Sequence, residues 1–239
     1  MTTTPTRPAP PYLAFTDVDE TLIHCKSMFE FLDHYLFERD GRCGLERARA
    51  VRQHLLRLSA DGLPREEANR IYYRSLTGEP VTAVNRSARR WFAARSADDG
   101  FFVASTLAAL DHHRTAGAAL VLVSGSFPAV LRPLAEWIGA EHLLCTRPEV
   151  RDGHFTGEVV GPPAIGEAKH TALRLLLHRY PHIDASDCYG YGDHISDLPM
   201  LAEVGHPVVV GDDRALAGLL HSAPALRDQL PPRNDVITM

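Results

Sequence analysis

Lysine is almost missing from this chain. Of its 25 basic residues only Lys26 and Lys169 are lysines, and the rest are arginine. Basic charge as a whole is also short. The formal net charge is −5, which excludes the electropositive footprint of a nucleic-acid-binding protein. No apolar run approaches the ~18 residues that suggest a membrane-spanning helix. The four cysteines, Cys25, Cys43, Cys145 and Cys188, are scattered and form no CxxC pair. They read as reduced thiols of a cytoplasmic protein, not as a disulfide or zinc framework. The 13 histidines supply no HExxH or similar ligand spacing. A Walker-type GxxxxGK[ST] and a GxGxxG are both lacking; "GYGD" at 190–193 has two glycines but no third. The first eleven residues, MTTTPTRPAPP, contain no apolar stretch and read as a flexible leader rather than a signal peptide.

What is present is an ordinary apolar content of 45% over 239 residues, enough for one large domain or a domain with an insert. Apolar runs suited to buried parallel strands occur at 12–16, 118–124, 142–146, 187–192 and 206–211. Helical patterns lie near 104–116, 127–139, 166–179, 196–203 and 213–221. Strands alternating with helices predict an α/β sheet with right-handed crossovers. The segment EVRDGHFTGEVVG, 149–161, places an Asp-Gly pair between alternating residues and predicts a β-hairpin. Residues 29–100 are different: rich in Arg, Glu, Ala and Leu, helically periodic and strand-poor. Four helical segments are expected there, the first three ending near a glycine. Trp91 and Phe92 are expected in the core of this insert, and His112 and His113 at a solvated helix end.

The polar residues that remain share one address. Asp17, Asp19 and Thr21 follow the first strand; Ser124, Gly125 and Ser126 follow the second; Asp193 and Asp197 follow the run at 187–192. Lys169 opens the helix before that last run. In an open α/β sheet, ligands bind outside the carboxyl ends of the strands, so these groups converge on one crevice. Two carboxylates about 4 Å apart repel by roughly 4 kcal/mol at an effective dielectric near 20. Four of them exceed what Lys169 can neutralise. A divalent cation is implied, and all-oxygen ligands favour Mg2+. Lys169, the Ser124 hydroxyl and its neighbouring amides suit a phosphate. Residues i and i+2 of an extended chain face one side. Asp17 can therefore attack phosphorus while Asp19 serves the leaving group as acid and then the hydrolytic water as base. Taken singly each cluster has a plainer reading, such as a turn serine or a helix cap; Cys25 has no neighbouring base to activate it.

The strings DVDET (17–21), VSGS (123–126), EAKH (167–170) and GDHISD (192–197) resemble, in order and spacing, the four motifs of the haloacid dehalogenase superfamily. A helical insert between the first two motifs, with RPLAEWIGA and the hairpin, is similar to the phosphoserine-phosphatase-like IB branch. The resemblance implies a Rossmann-like core with a central parallel sheet (12–28 and 101–239, after a leader at 1–11) and an all-helical C1 cap at 29–100. It implies Asp17 as nucleophile, Asp19 as acid/base, and Ser124, Gly125 and Lys169 on phosphate. Mg2+ would be held by the Asp17 carboxylate, the Asp19 carbonyl and Asp193, with Asp197 and Thr21 behind them. The expected substrate is a small phosphorylated metabolite. Phosphoserine phosphatase, a phosphotransferase or mutase, and a catalytically silent binding protein stand as alternatives. Lys26 occupies the position where phosphoserine phosphatases carry a glutamate for the substrate's ammonium, so a substrate with an anionic or hydroxyl-rich far end is expected instead. Oligomeric state leaves no mark on the sequence.

Overall fold

In the computed structural model, which describes residues 8–222, the apolar runs form one parallel sheet. Its strands are β1 (Leu13–Thr16), β2 (Ala119–Ser124), β3 (His142–Cys145), β6 (Tyr189–Gly192) and β7 (His206–Val209), in the order β3-β2-β1-β6-β7. β1 lies central and is wholly buried, paired with both β2 and β6. That is why its sequence is continuously apolar rather than alternating. Strand order reverses at β1, with β2 on one side and β6 on the other. The crevice at such a switch point opens over the carboxyl ends of the strands.

Helices α4 (Ala104–Thr115), α5 (Pro128–Ile138), α6 (Glu167–Leu177), α7 (Leu198–Glu203) and α8 (Arg214–Ser222) connect or follow these strands. One apolar cluster beneath the sheet gathers Leu13, Phe15, Val121, Leu173 and Met200; the other gathers Ala14, Leu120, Leu131 and Leu134 with much of the helical insert. β4 (Pro148–Arg151) and β5 (His154–Val159) form the expected hairpin as a separate two-stranded sheet. Asp152 and Gly153 both take positive φ, at 50° and 76°, the combination a tight two-residue hairpin turn requires.

The insert folds as α1 (Ser27–Ala60), α2 (Arg65–Arg74) and α3 (Val81–Arg95). α1 contains both of the first two expected helices, joined end to end. The glycine expected to stop the first one, Gly41, leaves helical geometry at φ 61° and ψ −137°. The second arm then passes so close to the first that a Cβ on Gly44 would lie 1.9 Å from the Leu36 carbonyl oxygen. Trp91 and Phe92 are buried in the insert as expected, and Phe31 and Phe127 meet edge to face across the seam with the sheet region. The hairpin is tied to the α2–α3 connection by backbone bonds: Gly78 N to Phe155 O (2.8 Å), Phe155 N to Glu79 O (3.0 Å) and Val81 N to Gly153 O (3.0 Å).

His112 is exposed, but His113 is buried, 3.0 Å from the Tyr12 hydroxyl and 2.8 Å from that of Tyr191. It sits on the sheet-facing side of α4, and burial holds its imidazole below the usual histidine range. Of the leader expected at 1–11, residues 1–7 lie outside the described residues, and the Pro10 carbonyl accepts a hydrogen bond from His182 Nε2 (3.1 Å). The last part of the segment expected as core, 223–239, also lies outside them. No described helix is long and apolar enough to cross a membrane.

Candidate active site

β1 ends by delivering Asp17 into the crevice. Its backbone N–H bonds the Tyr191 carbonyl (2.9 Å), which fixes the exit of β1 against β6. The chain then folds back on itself: Leu22 and Ile23 both donate to the Val18 carbonyl, and Glu20 takes a positive φ of 68°. This turn holds Asp19 where its Oδ1 accepts from the Ser27 N–H (3.0 Å) at the start of α1. Thr21, fully buried, donates to Asp193 Oδ1 (2.6 Å) and so ties the loop after β1 to the loop after β6.

Lys169 enters from the first turn of α6 and is 3% exposed. Its Nζ donates to Asp17 Oδ1 (2.6 Å) and Asp197 Oδ1 (2.7 Å). Burial alone would favour a neutral amine. The Asp17 and Asp197 carboxylates more than offset this and raise its pKa. Asp197 is 1% exposed, and its Oδ2 also accepts from the His194 N–H (3.2 Å). A side chain at Gly192 would collide with it, since a Cβ there would lie 2.7 Å from the Asp197 Cβ.

Asp17 is 7% exposed. Burial pushes its carboxyl up to about 7; Lys169 opposes the shift, and the Asp197 and Asp19 charges add to it. Asp19 is also raised by burial, against the stabilising bond from Ser27. Carboxylate oxygens of Asp17, Asp193 and Asp197 lie within 4.8 Å of one another. Three hard oxygen donors this close together, only two of them bonded to the Lys169 ammonium, fit a small divalent cation.

Ser124 ends β2 and is buried; its Oγ accepts from the Ser126 N–H (3.1 Å). The carbonyl of Gly125 receives two bonds from α2, from Asn69 Nδ2 (2.9 Å) and the Tyr73 hydroxyl (3.1 Å). These two residues of the insert grip the serine loop. Sequence inspection missed both, because a helix-to-loop hydrogen bond leaves no periodic signal. Their only trace is a polar pair, at i and i+4, on a buried helix face.

The groups line one cavity of about 350 Å³, within the usual range for small-molecule sites. Its sheet side carries Asp17, Asp19, Ser124, Gly125, Lys169, Asp193 and Asp197. Thr21 supports the site from behind and is not part of the lining. The helical side carries Met28, Phe29, Leu55, Leu56, Arg65 and Tyr72, which sequence reasoning also missed. Lys26 reaches the wall as expected, but its ammonium is tied to the Glu20 carboxylate. Arg65 bridges insert and core through Nη1 to His194 Nδ1 (2.6 Å); burial, and then this guanidinium, keep the imidazole below its usual range.

Comparison with known proteins agrees with this geometry. The model of the haloacid dehalogenase-like hydrolases matches residues 14–202. A probable phosphatase of Mycobacterium tuberculosis (strain ATCC 25618 / H37Rv) is 40% identical over 131 residues, covering 50% of this chain and 44% of that protein. The chain spans about half the length of the curated relatives it matches. Among solved structures, a protein of unknown function from Bordetella pertussis Tohama I superposes with a TM-score of 0.77 at 24% identity, covering 90% of this chain and 97% of that one. A substrate-bound phosphoserine phosphatase gives 0.61 at 19% identity, covering 84% and 86%. At these identities the two structures speak for the fold.

Proposed function

The chain belongs to the haloacid dehalogenase-like hydrolase family, and from that premise we propose that it is a Mg2+-dependent phosphatase of a small metabolite phosphomonoester. The observation that carries this reading is the buried junction of Asp17, Lys169 and Asp197, with Asp193 beside it. In the proposed reaction an Asp17 carboxylate oxygen attacks phosphorus and the ester P–O bond breaks, forming an aspartyl-phosphate. Asp19 delivers a proton to the departing alkoxide. It then takes a proton from the water that attacks the acyl-phosphate, which returns Asp17 as a carboxylate and frees phosphate. Lys169, Ser124 and the Gly125 amide hold the phosphoryl oxygens. Asp17, the Asp19 backbone carbonyl and Asp193 would hold Mg2+, with Asp197 and Thr21 behind them. When bound, the ion offsets charge on the transferring group.

We assign residues 29–100 as a cap over a core formed by 12–28 and 101–239. A helical cover of this kind excludes bulk water during turnover. The four free cysteines suit a reducing compartment, the cytoplasm. A panel of phosphorylated metabolites with released phosphate as readout tests the reading. EDTA is expected to abolish release and Mg2+ to restore it. Ca2+ is expected to inhibit, because its larger, looser shell spoils the in-line geometry. Full activity in exhaustively metal-free buffer would contradict it.

A further inference from the structure

The two walls of the cavity have opposite chemistry. Every carboxylate lining it, Asp17, Asp19, Asp193 and Asp197, follows a strand end on the sheet side. The wall contributed by the helices has none. Its surface is made largely by Met28, Phe29, Leu55, Leu56, Ala68 and Tyr72, with Ser59 and Asn69 as neutral polar groups among them. Tyr72 offers its ring rather than its hydroxyl, because the hydroxyl is spent on the Met28 carbonyl (2.8 Å). Leu56 is 59% exposed, an apolar side chain held at the cavity and not packed away in the core.

The cations on this side also bear on the ligand. Lys26 is paired with Glu20, which competes with an anionic tail for its charge. Arg65 meets His194 and has no carboxylate partner among the described residues. An ammonium group on the substrate would therefore find an uncompensated guanidinium and an apolar surface, with no anion to receive it. Burying an unpaired charge in such surroundings is unfavourable.

We propose, building on the phosphatase reading above, that the organic part of the substrate is apolar and carries no cationic group, and that Leu56, Leu55 and Phe29 are its specificity-determining contacts. Phosphate sits on the sheet side, and the alcohol it esterifies extends along the helical wall. Amino-alcohol phosphates are rejected on charge.

Ethyl phosphate, 2-phenylethyl phosphate and O-phosphoethanolamine share a two-carbon alcohol and differ only in its terminus. With the Mg2+-loaded full chain, kcat/KM is expected to favour 2-phenylethyl over ethyl phosphate by about tenfold or more, the range over which apolar pockets discriminate. O-phosphoethanolamine is expected to fall below ethyl phosphate. Leu56→Glu should bring the phenylethyl and ethanolamine values together by about tenfold or more. Leu56→Gln, of the same size without the charge, should lower the phenylethyl value without raising the ethanolamine one. The exposure of Leu56 lets these variants fold. Release from ethyl phosphate with equal or better release from O-phosphoethanolamine would overturn the proposal and leave the phosphatase reading standing, as would a phenylethyl-to-ethanolamine ratio unmoved by Leu56→Glu. No release from any of the three would overturn the phosphatase reading, and the proposal with it.

Discussion

Lys169 is the residue on which the charge balance of the site turns. One buried ammonium faces Asp17 and Asp197 at 2.6 and 2.7 Å, while Lys26, which lines the same cavity, is paired with Glu20. Lys169→Met is expected to lower kcat/KM by an amount corresponding to about 2–4 kcal/mol, the scale of losing one electrostatic donor to the transition state. Lys169→Arg should rescue poorly, because a planar guanidinium does not fit a socket shaped for a compact ammonium between two carboxylates. Wild-type rates in the arginine variant would reduce the residue to generic positive charge. The scarcity of lysine made this residue legible in the sequence. The pairing of Lys26 with Glu20 was not legible, because it depends on a turn in which Glu20 takes a left-handed conformation. His113 shows the same gap: its neighbour His112 is exposed, and only the docking of α4 decides which of the two is buried.

The elements themselves were largely readable. The strands of the main sheet announce themselves as short apolar runs, and Asp17, Asp19, Ser124, Asp193 and Asp197 each end or follow one of them because parallel strands open their carboxyl ends to ligands; Lys169 comes instead from the first turn of α6. Gly41 marked the break inside α1, although not that the second arm would start at once and press against the end of the first. What could not be read is how α2 meets the loop after β2. Asn69 and Tyr73 both donate to the Gly125 carbonyl, so the helix sets the orientation of the peptide beside Ser124. Tyr73→Phe and Asn69→Ala should each reduce kcat/KM by about tenfold, or about 1.4 kcal/mol, the upper range for one net hydrogen bond. The inhibition constant of free phosphate should rise in parallel, because a loosened serine loop grips the anion less well. A change in melting temperature with no change in phosphate inhibition would make the contact purely structural.

At the scale of the molecule, the crevice has one wall from the sheet and one from the insert. The first offers carboxylates, an ammonium and a serine loop; the second offers mainly apolar surface, with one guanidinium and the neutral polar groups of Ser59 and Asn69. In the proposal above, such a division keeps the family chemistry on the sheet side and reads the ligand on the other, which accounts for sequence motifs that pointed to a reaction class and to no single metabolite. The central claim is that Asp17 attacks phosphorus, and its most direct test is phosphate release by Asp17→Asn at saturating Mg2+, on whichever ester the wild type hydrolyses best. The swap is nearly isosteric, so the far-ultraviolet dichroism and melting profile should show a folded protein. Release should fall to the background of the uncatalysed reaction. A folded Asp17→Asn protein that still releases phosphate at a substantial fraction of the wild-type rate would contradict a carboxylate nucleophile at this position.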